Sequence, residues 1–109
     1  MNIKQRKQAD FLIFDLSGHF DTTTAPGVEV EINKIIDDQV NKIIINLSDV
    51  EYISSSGLRV LLATLKQLKK EDGVLRIFGL NETVQEIFDI SGFSVIFDLF
   101  KGETEALKG

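Results

Sequence analysis

Three consecutive hydroxyls, Ser54-Ser55-Ser56, followed by Gly57, stand between two apolar runs, Ile43 to Leu47 and Val60 to Leu65. Serine at such a place has three chemistries open to it: nucleophilic attack, anion binding, or capping of a helix. A hydrolytic nucleophile needs a base within hydrogen-bond reach and an acid to orient it, often on a G-x-S-x-G elbow. Here the context is Ile53-Ser54-Ser55-Ser56-Gly57, without the leading glycine, and the sole histidine, His19, sits in a Gly18-His19-Phe20-Asp21 loop. His19 is read as a solvent-exposed or packing residue, and the chain as no enzyme. One histidine, no cysteine and scattered carboxylates form no metal-ligand cluster, and neither a metal nor a cofactor is expected. Both glycine-rich phosphate loops, G-x-x-x-x-G-K-[ST] and G-x-G-x-x-G, are absent. What remains for the serines by themselves is the start of a helix, where a side-chain oxygen accepts a free first-turn N–H and Gly57 permits close backbone packing. A cap, however, needs one serine, not three.

The flanking polar residues carry weaker signals. Asp21 opens the run Asp21-Thr22-Thr23-Thr24-Ala25-Pro26, where it serves as a turn or cap residue or meets a partner. Asp49, after Ser48, reads as a turn former. Arg59 lies in the first turn after Gly57, where a cation opposes the helix dipole; it is either solvated or set for a partner's carboxylate.

Positioning these residues requires a scaffold. Phe11 to Leu16 suits a buried pleated surface and ends at Ser17-Gly18, while Met1 to Lys7 reads as an edge strand leading into it. A helix is expected after the threonine run and Pro26, with Val28, Ile32, Ile35 and Ile36 on one face. Ile43 to Leu47 hardly alternates, as a strand covered on both sides would not. Leu58, Leu61, Leu62, Leu65 and Leu68 form the stripe of a second helix, closed by Lys66, Lys69 and Lys70 and stopped near Gly73. Val74 to Phe78 is read as a strand, Asn81 as the cap of a helix facing inward through Val84, Ile87 and Phe88, Phe93 to Phe97 as a last strand, and Gly102 to Gly109 as a marginal helix. The order β β α β α β α β α is an α/β pattern, with parallel strands and right-handed crossovers wherever a helix intervenes.

Composition narrows function further. With 109 residues, 43% of them hydrophobic, residues 1–109 suffice for one core, and no linker or repeat divides them. Twelve basic and 17 acidic residues, a net charge of -5, argue against a nucleic-acid partner. No apolar run reaches the length of a membrane span, and the first residues lack a signal peptide's apolar segment. A cytoplasmic location is expected, without membrane insertion.

The stretch Ile45-Asn46-Leu47-Ser48-Asp49-Val50-Glu51-Tyr52-Ile53-Ser54-Ser55-Ser56-Gly57-Leu58, with the leucine-rich helix after it, resembles the signature of STAS domains, the family of bacterial anti-sigma factor antagonists. Gly18-His19-Phe20-Asp21 with Thr24-Ala25 resembles the family's turn before its first helix, and Ser91-Gly92-Phe93-Ser94-Val95-Ile96-Phe97 its late SG element. The resemblance implies a four- or five-stranded mixed sheet flanked by about four helices and a non-enzymatic switch. In that switch the unphosphorylated protein binds an anti-sigma factor with serine kinase activity and frees the sigma factor. Phosphorylation ends the binding, and a serine phosphatase restores it. The family's phosphoacceptor position falls on Ser55, with Ser54 and Ser56 as alternatives, and the partner surface on Asp21, Thr22, Ser54, Ser56, Gly57 and Arg59. Where the family motif has an aspartate, this chain has Ser54. The alternative that the resemblance leaves open is an unphosphorylated accessory module of a transport or sensory complex.

Overall fold

Ile43, Ile44 and Ile45 are all fully buried, and they bury into different layers. In the computed structural model, which describes residues 1–109, their strand, β3 (Lys42–Ile53), is the centre of a five-stranded sheet ordered β1-β2-β3-β4-β5. The others are β1 (Asn2–Gln8), β2 (Phe11–Phe20), β4 (Val74–Phe78) and β5 (Asp98–Phe100). The β1–β2 hairpin is antiparallel and every other pairing is parallel, so the sheet is mixed.

Side chains alternate across a strand, and the two faces are covered unequally. Ile43, Ile45 and Leu47 join a large core with Phe14, Leu16, Val28, Ile32, Leu61, Leu68, Val84 and Phe88. That core lies under α1 (Ala25–Asp37), α2 (Ser55–Lys70) and α3 (Glu82–Ile90). Ile44 joins Phe11, Ile13 and Phe78 on the opposite side, beneath Ala106 and Leu107 of the short α5 (Glu103–Lys108). Two arginines of the sheet hold α5 down. Arg6 of β1 donates from Nη2 to Glu103 Oε1 (2.5 Å) and from Nη1 to Oε2 (3.0 Å), while Arg76 of β4 donates from Nη1 to the Ala106 carbonyl (2.8 Å).

The α/β fold and the mixed sheet are as the sequence implies, and the helix stripes point inward as expected. Three elements differ. The strand begun at Phe11 runs on through Ser17-Gly18 to Phe20, and β3 extends six residues past Leu47. Asp49 is therefore a strand residue, not a turn former. Polar Ser48-Asp49 marks a bulge instead: Asp15 pairs with Asn46 but Ser17 with Asp49, and a second shift follows at Gly18 and His19. A bulged strand keeps its ladder while accommodating extra residues, so Val50 and Ile53 still bury. Finally, Phe93 to Phe97 is no strand. Phe93–Ile96 is a helical turn, α4, and the last strand starts one residue after Phe97. Phe93 and Phe97, four apart, pack edge-on around Phe88, while Val95 between them is 91% exposed. The observed order is thus β β α β α β α α β α, with five helices rather than about four.

Candidate functional site

Because β2 and β3 are parallel neighbours, their carboxyl ends lie side by side, at Phe20 and Ile53. The residues that follow each strand, Asp21 to Thr24 and Ser54 to Gly57, therefore share one corner of the molecule. The Ser54 N–H donates to the Phe20 carbonyl (2.9 Å), tying the two loops directly.

Gly57 is what lets them close. A Cβ there would stand 2.8 Å from the Phe20 carbonyl oxygen and 2.7 Å from Ile53 Cγ1, closer than real Cβ contacts allow. The reason is proximity, because the first turn of α2 rests on the end of β2.

The three serines divide their work. Ser54, half-buried and extended, is the N-cap of α2: its Oγ accepts the Gly57 N–H (3.4 Å) and its carbonyl accepts the Leu58 N–H (3.0 Å). Ser56, also half-buried, shares a hydrogen bond with Thr22 Oγ1 across the corner (3.1 Å). Ser55, the first residue of the helix, is exposed. Its hydroxyl has one side-chain partner: Arg59, one turn on, donates from Nη2 to Ser55 Oγ (3.4 Å) and from Nε to the Ser55 carbonyl (3.3 Å). Arg59, exposed to solvent, folds back along the helix.

The 21–24 turn is held by Asp21. Its Oδ1 accepts from Thr23 Oγ1 (2.7 Å), the Thr23 N–H (3.0 Å) and the Thr24 N–H (3.3 Å). These donors, the Thr23 hydroxyl foremost, favour the ionised carboxylate and hold its pKa below the ordinary aspartate value. Thr24, the N-cap of α1, spends its hydroxyl elsewhere, donating to the His19 carbonyl (2.8 Å) and accepting the Asp21 N–H (2.9 Å). His19 itself is exposed, its Nε2 3.0 Å from Glu51 Oε2. The hydroxyls of Ser54, Ser55 and Ser56 bond instead to the Gly57 N–H, Arg59 and Thr22.

Beside this corner an open cleft of about 560 Å³ runs between α1 and α2, with Thr22, Pro26 and Glu29 on one wall and Ser56, Arg59 and Lys66 on the other. The corner brings together Asp21, Thr22, Ser54, Ser55, Ser56, Gly57 and Arg59, whereas Asp49 lies back within β3. Sequence reasoning missed the cleft walls, Pro26, Glu29 and Lys66. The signal for Lys66 lay in the stripe Ser55, Arg59, Lys66, at i, i+4 and i+11, which keeps to one side of α2.

A model of the STAS domain family matches residues 2–106. The chain belongs to the STAS domain family. BtrV of Bordetella bronchiseptica, named as a candidate anti-sigma factor antagonist, is 36% identical over 97 residues, 89% of this STAS domain and 84% of BtrV. Among solved structures, a candidate anti-sigma factor antagonist from Thermotoga maritima superposes with a TM-score of 0.93 at 22% identity, covering 97% of this chain and 92% of that one. The anti-sigma factor antagonist SpoIIAA shares the fold in its unphosphorylated form (TM-score 0.75, 17% identity, 95% and 92% covered). The phosphorylated form of SpoIIAA, a Bacillus cell fate determinant, does so too (TM-score 0.76, 19% identity, 98% and 97% covered). No helix of this STAS domain is long and apolar enough to cross a membrane.

Proposed function

We propose that this STAS domain is an anti-sigma factor antagonist, acting in the cytoplasm as a binding module, and that phosphorylation of Ser55 switches it. Its partner is an anti-sigma factor with serine kinase activity, engaged through Asp21, Thr22, Ser54, Ser56, Gly57 and Arg59; binding releases the sigma factor. The observation that carries this reading is the division of labour among the serines. Ser54 caps and Ser56 bonds to Thr22, whereas Ser55 is exposed and has no part in the turn. The kinship with BtrV and the two forms of SpoIIAA support it.

In the switching step Ser55 Oγ attacks the terminal phosphorus of a nucleoside triphosphate held by the partner. The new O–P bond replaces the bond to the departing diphosphate, and the hydroxyl proton is released. A serine phosphatase reverses the state by directing water at phosphorus, returning the hydroxyl and inorganic phosphate. The added group brings about 1.5 to 2 negative charges at pH 7. It projects into solvent from an exposed position, so the fold survives. A partner surface shaped for a neutral hydroxyl must instead desolvate a dianion, and a loss of about 3 kcal/mol weakens binding roughly a hundredfold.

Titration calorimetry with the anti-sigma kinase of the same cell tests this directly. Ser55→Ala is expected to bind as wild type yet take up no phosphate, and Ser55→Asp to bind weakly. Equal affinity of Ser55→Asp and wild type, together with phosphate incorporation into Ser55→Ala, would overturn the assignment.

A further inference from the structure

We propose that Arg59 is the intramolecular counter-ion of phosphorylated Ser55, so that modification withdraws a positive charge from the partner surface as well as adding a negative one. The inference rests on the assignment of Ser55 as phosphoacceptor and gives Arg59 a second role beside partner contact.

Three observations carry it. The guanidinium is already turned toward the hydroxyl, with Nη2 at 3.4 Å from Ser55 Oγ and Nε at 3.3 Å from the Ser55 carbonyl. Residues four apart on a helix are neighbours on one face, so a phosphoryl group on Oγ extends into the space in front of the guanidinium. Its oxygens then come within reach of charge-assisted bonds, which are shorter and about twice as strong as the neutral contact they replace. Second, Arg59 is uncommitted: the ion pairs of the molecule involve Arg6, His19 and Lys42, and none uses Arg59. Third, the residue before the acceptor is Ser54, a cap without charge. An aspartate there would set a second negative charge beside the phosphate.

The consequence concerns the cleft between α1 and α2. Arg59 is exposed on its α2 wall, beside Ser56 and Val60. Unmodified, its side chain is held by two long bonds and is free to meet a partner's carboxylate. Phosphorylated Ser55 holds it on the helix, and the cleft loses the cation.

The test needs no partner protein. The chain of residues 1–109 carrying phosphoserine at position 55, introduced during translation, is titrated by phosphorus NMR between about pH 4 and pH 8, around the ordinary second phosphate pKa near 6. A neighbouring guanidinium favours the dianion, so the wild-type phosphate is expected to titrate about half a unit below that of Arg59→Gln. Arg59→Lys should recover part of the shift, and Lys66→Gln, further along the same face, should leave it at the wild-type value. Identical titrations in wild type and Arg59→Gln, or an equal change in Lys66→Gln, would overturn the proposal. Circular dichroism of unmodified Arg59→Gln checks that the fold is kept. If the shift is found but the chain binds no anti-sigma factor, the antagonist reading fails and the Arg59 pairing stands; without the shift, the antagonist reading is untouched.

Discussion

Arg6 in the first strand and Glu103 in the last helix, 97 positions apart, form a two-pronged ion pair that closes the chain's ends onto the same face of the sheet. The same guanidinium also grips Asp15, at 2.6 and 3.1 Å, and Asn46 donates to that carboxylate at 2.7 Å. Bonds from Arg6 are the leading cause that holds both carboxyl groups below their ordinary pKa. A depressed folded pKa means stability that is present above the unfolded value and disappears as pH falls through the folded one. Urea unfolding should therefore show wild type weakening below about pH 4. Arg6→Met should cost about 0.5 to 2 kcal/mol at pH 7, because the ion pairs are partly exposed and screened by solvent, and lose less stability than wild type over the acid range.

Ser54 offers a test of capping separated from charge. The bond to the Gly57 N–H is long, so Ser54→Ala is expected to cost only about 0.5 to 1 kcal/mol, the lower part of the range for such caps. Ser54→Asp should unfold within about 0.5 kcal/mol of wild type, since aspartate caps as well as serine. Thermal denaturation of the two variants side by side measures both.

Gly57→Ala should be worse than the loss of the cap. The added methyl meets a backbone carbonyl and a buried isoleucine at once, and overpacking of this kind costs about 1 to 3 kcal/mol. A denaturant midpoint shift of that size, with the slope of the transition unchanged, is the expected result.

The helical turn α4 makes a paired prediction. Phe97 is buried against Phe88 and Phe93, whereas Val95 is 91% exposed. Phe97→Ala is expected to cost about 3 to 5 kcal/mol, and Val95→Ser to stay within about 0.5 kcal/mol. Comparable losses at both positions in chemical denaturation would contradict the helical arrangement.

Most of the architecture was legible because burial and periodicity agree along this chain. Ile43 to Leu47 had to be sandwiched, and Leu58 to Leu68 had to face a sheet. Legibility failed where two periods fit one stretch: Phe93 to Phe97 is as apolar as a strand, but only the aromatic residues four apart are needed by the core. It failed again at Ser48-Asp49, because a bulge and a turn use the same polar residues and only the pairing with Ser17 tells them apart. The functional corner was legible as a set of residues but not as a division of labour. Nothing in Ser-Ser-Ser says which hydroxyl caps, which bonds to Thr22 and which is exposed beside Arg59; that depends on where β2 ends. Likewise, the direction of Arg59 is a rotamer choice, invisible in spacing alone.

The neutral cap at Ser54 has a further consequence under the proposed assignment of Ser55. Serine and aspartate serve a helix equally well as caps, so the charge beside the proposed acceptor is free to vary without unfolding the protein. Recognition by an upstream enzyme and stability of the scaffold are thereby separable: one substitution changes the charge that the loop presents, and the fold that presents it is left as it was.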